Sequence, residues 1–118
     1  MNERDGSLLL SIKEECEYLL EKGKKHDSDD ILYNKDLQHI VTMALINIGE
    51  YAKSLSIELK EENRHIEWSE IVGLRNKAVH NYDSLHMDRI WGNVTKDVPK
   101  LLEQVERILH AEGVEEEG

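Results

Sequence analysis

The sequence predicts an all-α protein, a single bundle of four or five helices. Three observations point there. Apolar residues recur at steps of three and four along most of the chain, which is the spacing of one helical face. One proline, seven glycines and no phenylalanine, among many Leu, Ile, Glu and Lys, favour helix over strand. The connections between the periodic segments are short and polar, as in a bundle. A chain of 118 residues is one domain, able to build a core but marginal as a monomer. We place that domain at residues 1–112 and read 113–118 as a solvated acidic tail.

The elements follow in order. Residues 1–6 read as a frayed start ending at Gly6, with Ser7 as a helix cap. From Leu8 to about Lys24, the apolar positions Leu8, Leu9, Ile12, Cys16, Leu19 and Leu20 make an amphipathic helix. His26 to Asp30 is a polar connection. Asp27, Asp29 and Asp30 read as a solvated turn with a helix cap, since a calcium loop would need a Gly and a closing Glu that are missing. Ile31, Leu32 and Tyr33 then add a short apolar patch.

Asp36 to about Leu59 is the strongest helix. Leu37, Val41, Ala44, Ile48, Ala52, Leu55 and Leu59 alternate steps of four and three, a coiled-coil-like seam. Ile40, Met43 and Ile46 widen the apolar surface, so this helix needs cover on more than one side, from its own chain and from a second copy. Gly49 in mid-helix costs roughly 1 kcal/mol relative to alanine, which suggests close helix contact there. Glu50 is read as a solvated residue ahead of a partner for the motif described below.

Residues 60–67 form a charged, exposed connection. Trp68 opens a third helix, and Asn81-Tyr82-Asp83-Ser84 reads as its exit into a turn. Residues 87–96 form a fourth helix on Met87, Ile90, Trp91 and Val94. Asp97 caps a restart at Val98-Pro99, where a proline in the first turn costs little. Leu101, Leu102, Val105, Ile108 and Leu109 complete the last amphipathic helix. Trp68 and Trp91 read as core anchors rather than base-stacking platforms, because both lie on apolar helical faces.

Charge and cysteine content narrow the function. A net charge of −10 opposes a broad nucleic-acid-coating surface. Between residues 70 and 100, however, five basic residues meet four acidic ones, so a local phosphate site is compatible with the balance. The single cysteine, Cys16, cannot form an internal disulfide; a reducing compartment is the simpler reading, with Cys16 a small apolar filler. No apolar run approaches the ~20 residues of a membrane span, and no signal-peptide core is visible. The expectation is a soluble, cytoplasmic protein.

The chemistry concentrates in Leu74-Arg75-Asn76-Lys77-Ala78-Val79-His80-Asn81-Tyr82, with the spacing R-x4-H-x-Y. Arginine is a permanent cation that holds phosphate through two hydrogen bonds. Histidine exchanges a proton near neutral pH. Asn76 adds an amide. Taken alone, an Arg–His pair at a helix end reads first as a cap for the last carbonyls. At ~100° per residue, positions 75 and 80 point about 140° apart, so they do not converge from one straight helix. Either the helix ends before His80 or another protomer completes the site. Positions 75 and 82 lie nearly in line. His26, His39, His65, His86 and His110 show no metal spacing, so no metal and no cofactor is assigned.

Three blocks give these residues a frame. Leu37-Gln38-His39-Ile40-Val41 runs into Leu45-Ile46-Asn47-Ile48-Gly49-Glu50, then Ala52-Lys53 and Leu55-Ser56. The second block is Trp68 through Tyr82. The third is Ile90-Trp91 through Val94, Asp97-Val98-Pro99 and Leu101. In order and spacing over most of residues 30–110, the chain resembles the HEPN superfamily, and within it the HepT-like toxins that accompany a minimal nucleotidyltransferase antitoxin. R-x4-6-H alone is a weak signal; the form R-N-x3-H-x-Y within this frame is strong.

The resemblance implies an antiparallel, dimeric helical domain whose motifs line a shared cleft. It implies a metal-independent endoribonuclease, the toxin of a type VII-like toxin–antitoxin pair. Arg75 would hold the scissile phosphate and stabilise developing charge, and Asn76 would position the phosphate or orient the histidine. His80 would act as general acid or base, leaving a 2′,3′-cyclic phosphate and a 5′-hydroxyl. Tyr82 would receive AMP from the partner nucleotidyltransferase, which would block the phosphate site by bulk and charge. The alternatives are a non-catalytic, nucleotide-binding subunit of such a complex and a helical dimer that serves only as an interaction module.

Overall fold

The computed structural model describes residues 1–83 and 86–114. Among the described residues, seven α-helices and one π-helical segment form an all-α bundle with no strand. The helices are α1 (Glu3–Lys25), α2 (Ser28–Tyr33), α3 (Lys35–Ser54), α4 (Ile57–Glu62), α5 (Trp68–Asp83), α6 (Met87–Gly92) and α7 (Val98–Ala111). The π-helical segment, Asn93–Asp97, joins α6 to α7.

Four long helices stand side by side in the order α5, α3, α1, α7, each antiparallel to its neighbour. Contacts between residues far apart in sequence set these directions. The Asp5 carboxylate at the start of α1 meets Ser56 just past the end of α3. Lys13 of α1 lies 3.6 Å from Glu106 of α7, and a Cβ at Gly23, near the end of α1, would lie 4.0 Å from Val94, just ahead of α7. Tyr82 of α5 reaches His39 near the start of α3. Between the helices lies a continuous core that includes Leu9, Ile12, Leu19, Val41, Leu45, Ile48, Ala78, Ile90, Val94, Val98 and Val105. Trp68 and Trp91 are both buried in it, and the Trp68 indole N–H donates to the Asn63 carbonyl at 3.1 Å. They are anchors, as their positions in the sequence indicate.

The first helix begins earlier than its apolar pattern does. Asn2 caps it, accepting from the Asp5 N–H at 2.7 Å, so residues 3–7 are helical rather than frayed. Asp5 is buried because its carboxylate has work elsewhere. It accepts from the Ser56 N–H at 2.9 Å and from the Ser56 hydroxyl at 2.6 Å. The expected helix 36–59 is likewise two helices. Leu55 is extended (φ −62°, ψ 147°), and Ser56 caps α4 by accepting from the Leu59 N–H. Leu55 and Leu59 are buried all the same. The seam predicted there is real, but the backbone breaks to let Ser56 cap and bond at once. Residues 60–67 contain the end of α4 and a buried Ile66, so they are more than an exposed connection.

At Asp27 the expected cap is present as a reciprocal pair. Its side chain accepts from the Asp30 N–H while the Asp30 carboxylate accepts from the Asp27 N–H, both at 3.0 Å. Asp97 does not cap a restart. The chain passes from α6 through the wider π turns directly into α7, with the Val98 N–H bonded to the Asn93 carbonyl. Pro99 explains this, because its ring cannot donate and would crowd the preceding turn of a regular helix. Gly113 (φ +68°), two residues past the end of α7, turns the chain away, with the Val114 N–H bonded to the Leu109 carbonyl and the Gly113 N–H to that of His110. The tail beyond Val114 lies outside the described residues.

Candidate functional site

The motif lies on α5, and α3 positions it. Gly49 makes this possible. A Cβ at residue 49 would sit 2.7 Å from the Arg75 Cβ, 2.8 Å from the Arg75 backbone N and 3.0 Å from the Val72 carbonyl O. Real side chains do not approach that closely, so only glycine lets the two backbones touch here. The close helix contact expected at Gly49 is thus present, and it falls against the motif arginine.

Arg75 leaves this crossing and turns outward. Its Nε lies 3.4 Å from Glu50 Oε1, and its terminal NH1 donates to Asn76 Oδ1 at 2.9 Å. Both partners of the ion pair are about half exposed, with side-chain exposures of 48% and 54%. Glu50 is therefore a partner of the motif rather than a merely solvated residue. Two of the three guanidinium nitrogens, Nε and NH1, thus have partners within the protein, and the half-exposed side chain leaves room for a phosphate to approach.

Tyr82, seven residues on, returns to the same side of α5 and also faces α3. Its phenol oxygen lies 3.2 Å from Nε2 and 3.3 Å from Nδ1 of His39, with ring centroids 5.4 Å apart and planes tilted by 51°. Half-buried Val79 lies between Arg75 and Tyr82 on this stripe. Arg75 and Tyr82 are separated by about 10 Å along the helix axis.

Asn76 and His80, four residues apart, share the neighbouring exposed face of α5. The helix runs unbroken through His80 to Asp83, so the turn expected from Asn81 does not begin there; Ser84 lies outside the described residues. The Asn81 carbonyl accepts from the His86 N–H at 2.7 Å. Continuity removes one of the two ways by which Arg75 and His80 could meet. The structure brings Arg75 to Asn76 and to Glu50, and Tyr82 to His39. It does not bring His80 to the Arg75 side of its own helix.

His39 is the residue that sequence reasoning passed over in the site, and Glu50 the one it read first as solvated. A signal was present. They are eleven residues apart, three helical turns, which puts them on one stripe of α3 just as Arg75 and Tyr82 share one of α5. Among the described residues no three His, Cys, Asp or Glu side chains gather as a metal-binding group. Nor, among them, is any helix long and apolar enough to cross a membrane.

Residues 12–108 match the family described as ribonuclease HepT-like, which takes in α3, α5 and the whole motif. The chain belongs to the HepT-like ribonuclease family. A protein of Caldanaerobacter subterraneus subsp. tengcongensis, provisionally named RNase TTE0752, is 35% identical over 88% of this chain and 93% of its own. One of Methanocaldococcus jannaschii, provisionally named RNase MJ1380, is 33% identical over 90% of this chain and 98% of its own. A Thermococcus cleftensis protein, provisionally named ribonuclease HepT, is 30% identical over 85% and 91%. No solved structure matches the chain at a significant level. The family resemblance read from the motif blocks is thereby established, and with it a ribonuclease lineage.

Proposed function

We propose that this HepT-like ribonuclease is the toxin of a toxin–antitoxin pair, an endoribonuclease acting without a metal through Arg75, Asn76 and His80. The observation that carries the reading is the half-exposed Arg75 guanidinium, oriented by Glu50 at Nε and by Asn76 at NH1. Arg75 binds the scissile phosphate and stabilises the charge that builds on it in the transition state. His80 takes the proton from the 2′-hydroxyl or gives one to the leaving 5′-oxygen. The RNA supplies its own nucleophile, so the products are a 2′,3′-cyclic phosphate and a 5′-hydroxyl.

Because α5 is straight past His80, the proposed site is built across a homodimer, with Arg75 of one copy facing His80 of the other. Exposed Met43 and half-buried Ile40 and Ile46 on α3 offer apolar area for that association. Tyr82 is the site at which a partner nucleotidyltransferase adds AMP and silences the toxin.

Purified protein incubated with RNA in the presence of a chelator tests the reading. Wild type should cleave and leave cyclic phosphate ends, while His80→Ala should lose at least about 100-fold in rate. Melting curves of His80→Ala beside wild type separate a lost chemical step from a lost fold. Cleavage undiminished by His80→Ala would remove His80 as the acid–base group. A wild type that binds nucleotide but never cleaves would make the chain a non-catalytic subunit. The intact mass of protein co-expressed with a neighbouring nucleotidyltransferase tests the modification, which Tyr82→Phe should abolish.

A further inference from the structure

The contact between His39 and Tyr82 has no part in the cleavage chemistry above, yet it joins two of the few side chains able to exchange protons at this surface. The phenol oxygen stands 3.2 Å from one ring nitrogen of His39 and 3.3 Å from the other. The oxygen lies nearly equidistant from both nitrogens, and a turn of the exposed ring aims the bare nitrogen of a neutral imidazole at the phenol proton. Tyr82 is half buried, its ring packed against the core, so its oxygen is held at the rim where α3 and α5 meet. His39 is exposed beside it and can pass a proton on to solvent. Tyr33, by contrast, is an 85% exposed tyrosine on α2, which makes it a reference for an unassisted phenol within the same chain.

We propose that His39 is the proton acceptor that makes Tyr82 a nucleophile. The proposal rests on the reading of Tyr82 as the site of AMP transfer. In the step, the phenol oxygen forms a bond to the α-phosphorus of ATP. The bond from that phosphorus to the bridging oxygen of pyrophosphate breaks, and pyrophosphate leaves with the electron pair. The phenolic proton passes to His39. Once the oxygen is esterified it has no proton to give, and the imidazolium left behind becomes the donor. It then faces a phosphodiester anion on Tyr82, so the residue that promotes the transfer also holds the added group against α3.

The test uses the full-length protein with ATP and its nucleotidyltransferase, following the mass of the peptide that contains Tyr82. Transfer to His39→Ala should be slower by about 100-fold, the scale of a lost general base, and added imidazole should restore part of the rate. His39→Gln keeps a hydrogen-bond acceptor but cannot take up the proton, so it should remain slow. A His39→Ala protein modified at the wild-type rate, or one slowed but indifferent to imidazole, would overturn the proposal. A second measurement needs no partner. Acetylation by N-acetylimidazole should favour Tyr82 over Tyr33 in the wild type and lose that preference in His39→Ala. Loss of the preference in a chain that never receives AMP would uphold His39 as the acceptor and reject the AMP reading. AMP transfer to wild type and His39→Ala alike would do the reverse.

Discussion

Glu50 Oε1 on α3 lies 3.4 Å from Arg75 Nε on α5, so the carboxylate holds the guanidinium at Nε while the side chain stays half exposed. The pair is half exposed, and its worth to folding is within about 1 kcal/mol. Its larger effect is on substrate: the carboxylate orients the arginine but also sets a negative charge near any bound phosphate. Glu50→Gln should lower KM for an RNA oligonucleotide by removing that charge. It should also lower kcat severalfold by freeing the guanidinium. A raised KM with kcat unchanged, in steady-state cleavage, would dismiss the orienting role.

Gly49→Ala should destabilise the protein even though it improves helix propensity. The gain from replacing a mid-helix glycine is about 1 kcal/mol. Against it stand contacts of 2.7–3.0 Å, two of them with backbone atoms of α5 that cannot swing aside. Overpacking of this kind costs about 1–3 kcal/mol, so a net loss is expected in chemical denaturation. Arg75 sits at the point of contact, so ribonuclease activity should fall further than stability alone accounts for. An alanine variant as stable as wild type would mean that the helices part at no cost.

Cys16 should be inert in the folded state. Burial pushes its thiol up to about 12, and the neighbouring Glu15, Glu17 and Glu106 add to the shift. At neutral pH almost no thiolate exists to attack a disulfide reagent. Ellman's reagent should find nothing in native protein and the single thiol after denaturation. Prompt reaction in the native state would indicate that α1 opens readily.

Glu70 gives the stability a pH dependence of known sign. Its carboxyl is raised above the ordinary value, first by a hydrogen bond with Glu67 and then by the charge on that neighbour. The folded state therefore holds this proton more tightly than the unfolded state does. Stability contributed by the pair is present below the ordinary carboxylate value and is lost as pH rises through the raised one. Glu70→Gln should remove that decline, and melting curves from acidic to neutral pH would show it. Parallel wild-type and variant profiles would count against the shared proton.

Much of the fold is legible from periodicity because its determinants are local. The faces of α1, α3 and α7 are written in apolar spacing, and the Asp27 cap is written in two aspartates three apart. What escaped was set by residues far away in the chain. The break at Leu55 depends on Asp5, fifty residues earlier, which no local pattern reveals. The π turns before α7 depend on how the helix absorbs Pro99 rather than on the proline's presence. In the site, the motif residues were visible as a group because they share one helix. Their partners His39 and Glu50 come from α3, and polar residues on a surface stripe look the same whether they meet water or another helix. Gly49 was the exception, since a helix-weakening residue at mid-helix needs a reason, and close approach is the usual one.

The unbroken course of α5 carries a consequence for genetics. In the proposed dimer, Arg75 of one copy works with His80 of the other, so two inactive alleles should complement each other. A chain with Arg75→Ala and a chain with His80→Ala, each dead alone, would share one intact Arg–His pair in every mixed dimer. Random pairing makes half of the dimers mixed, so roughly a quarter of wild-type activity should return. A cell carrying both defective copies would again be poisoned.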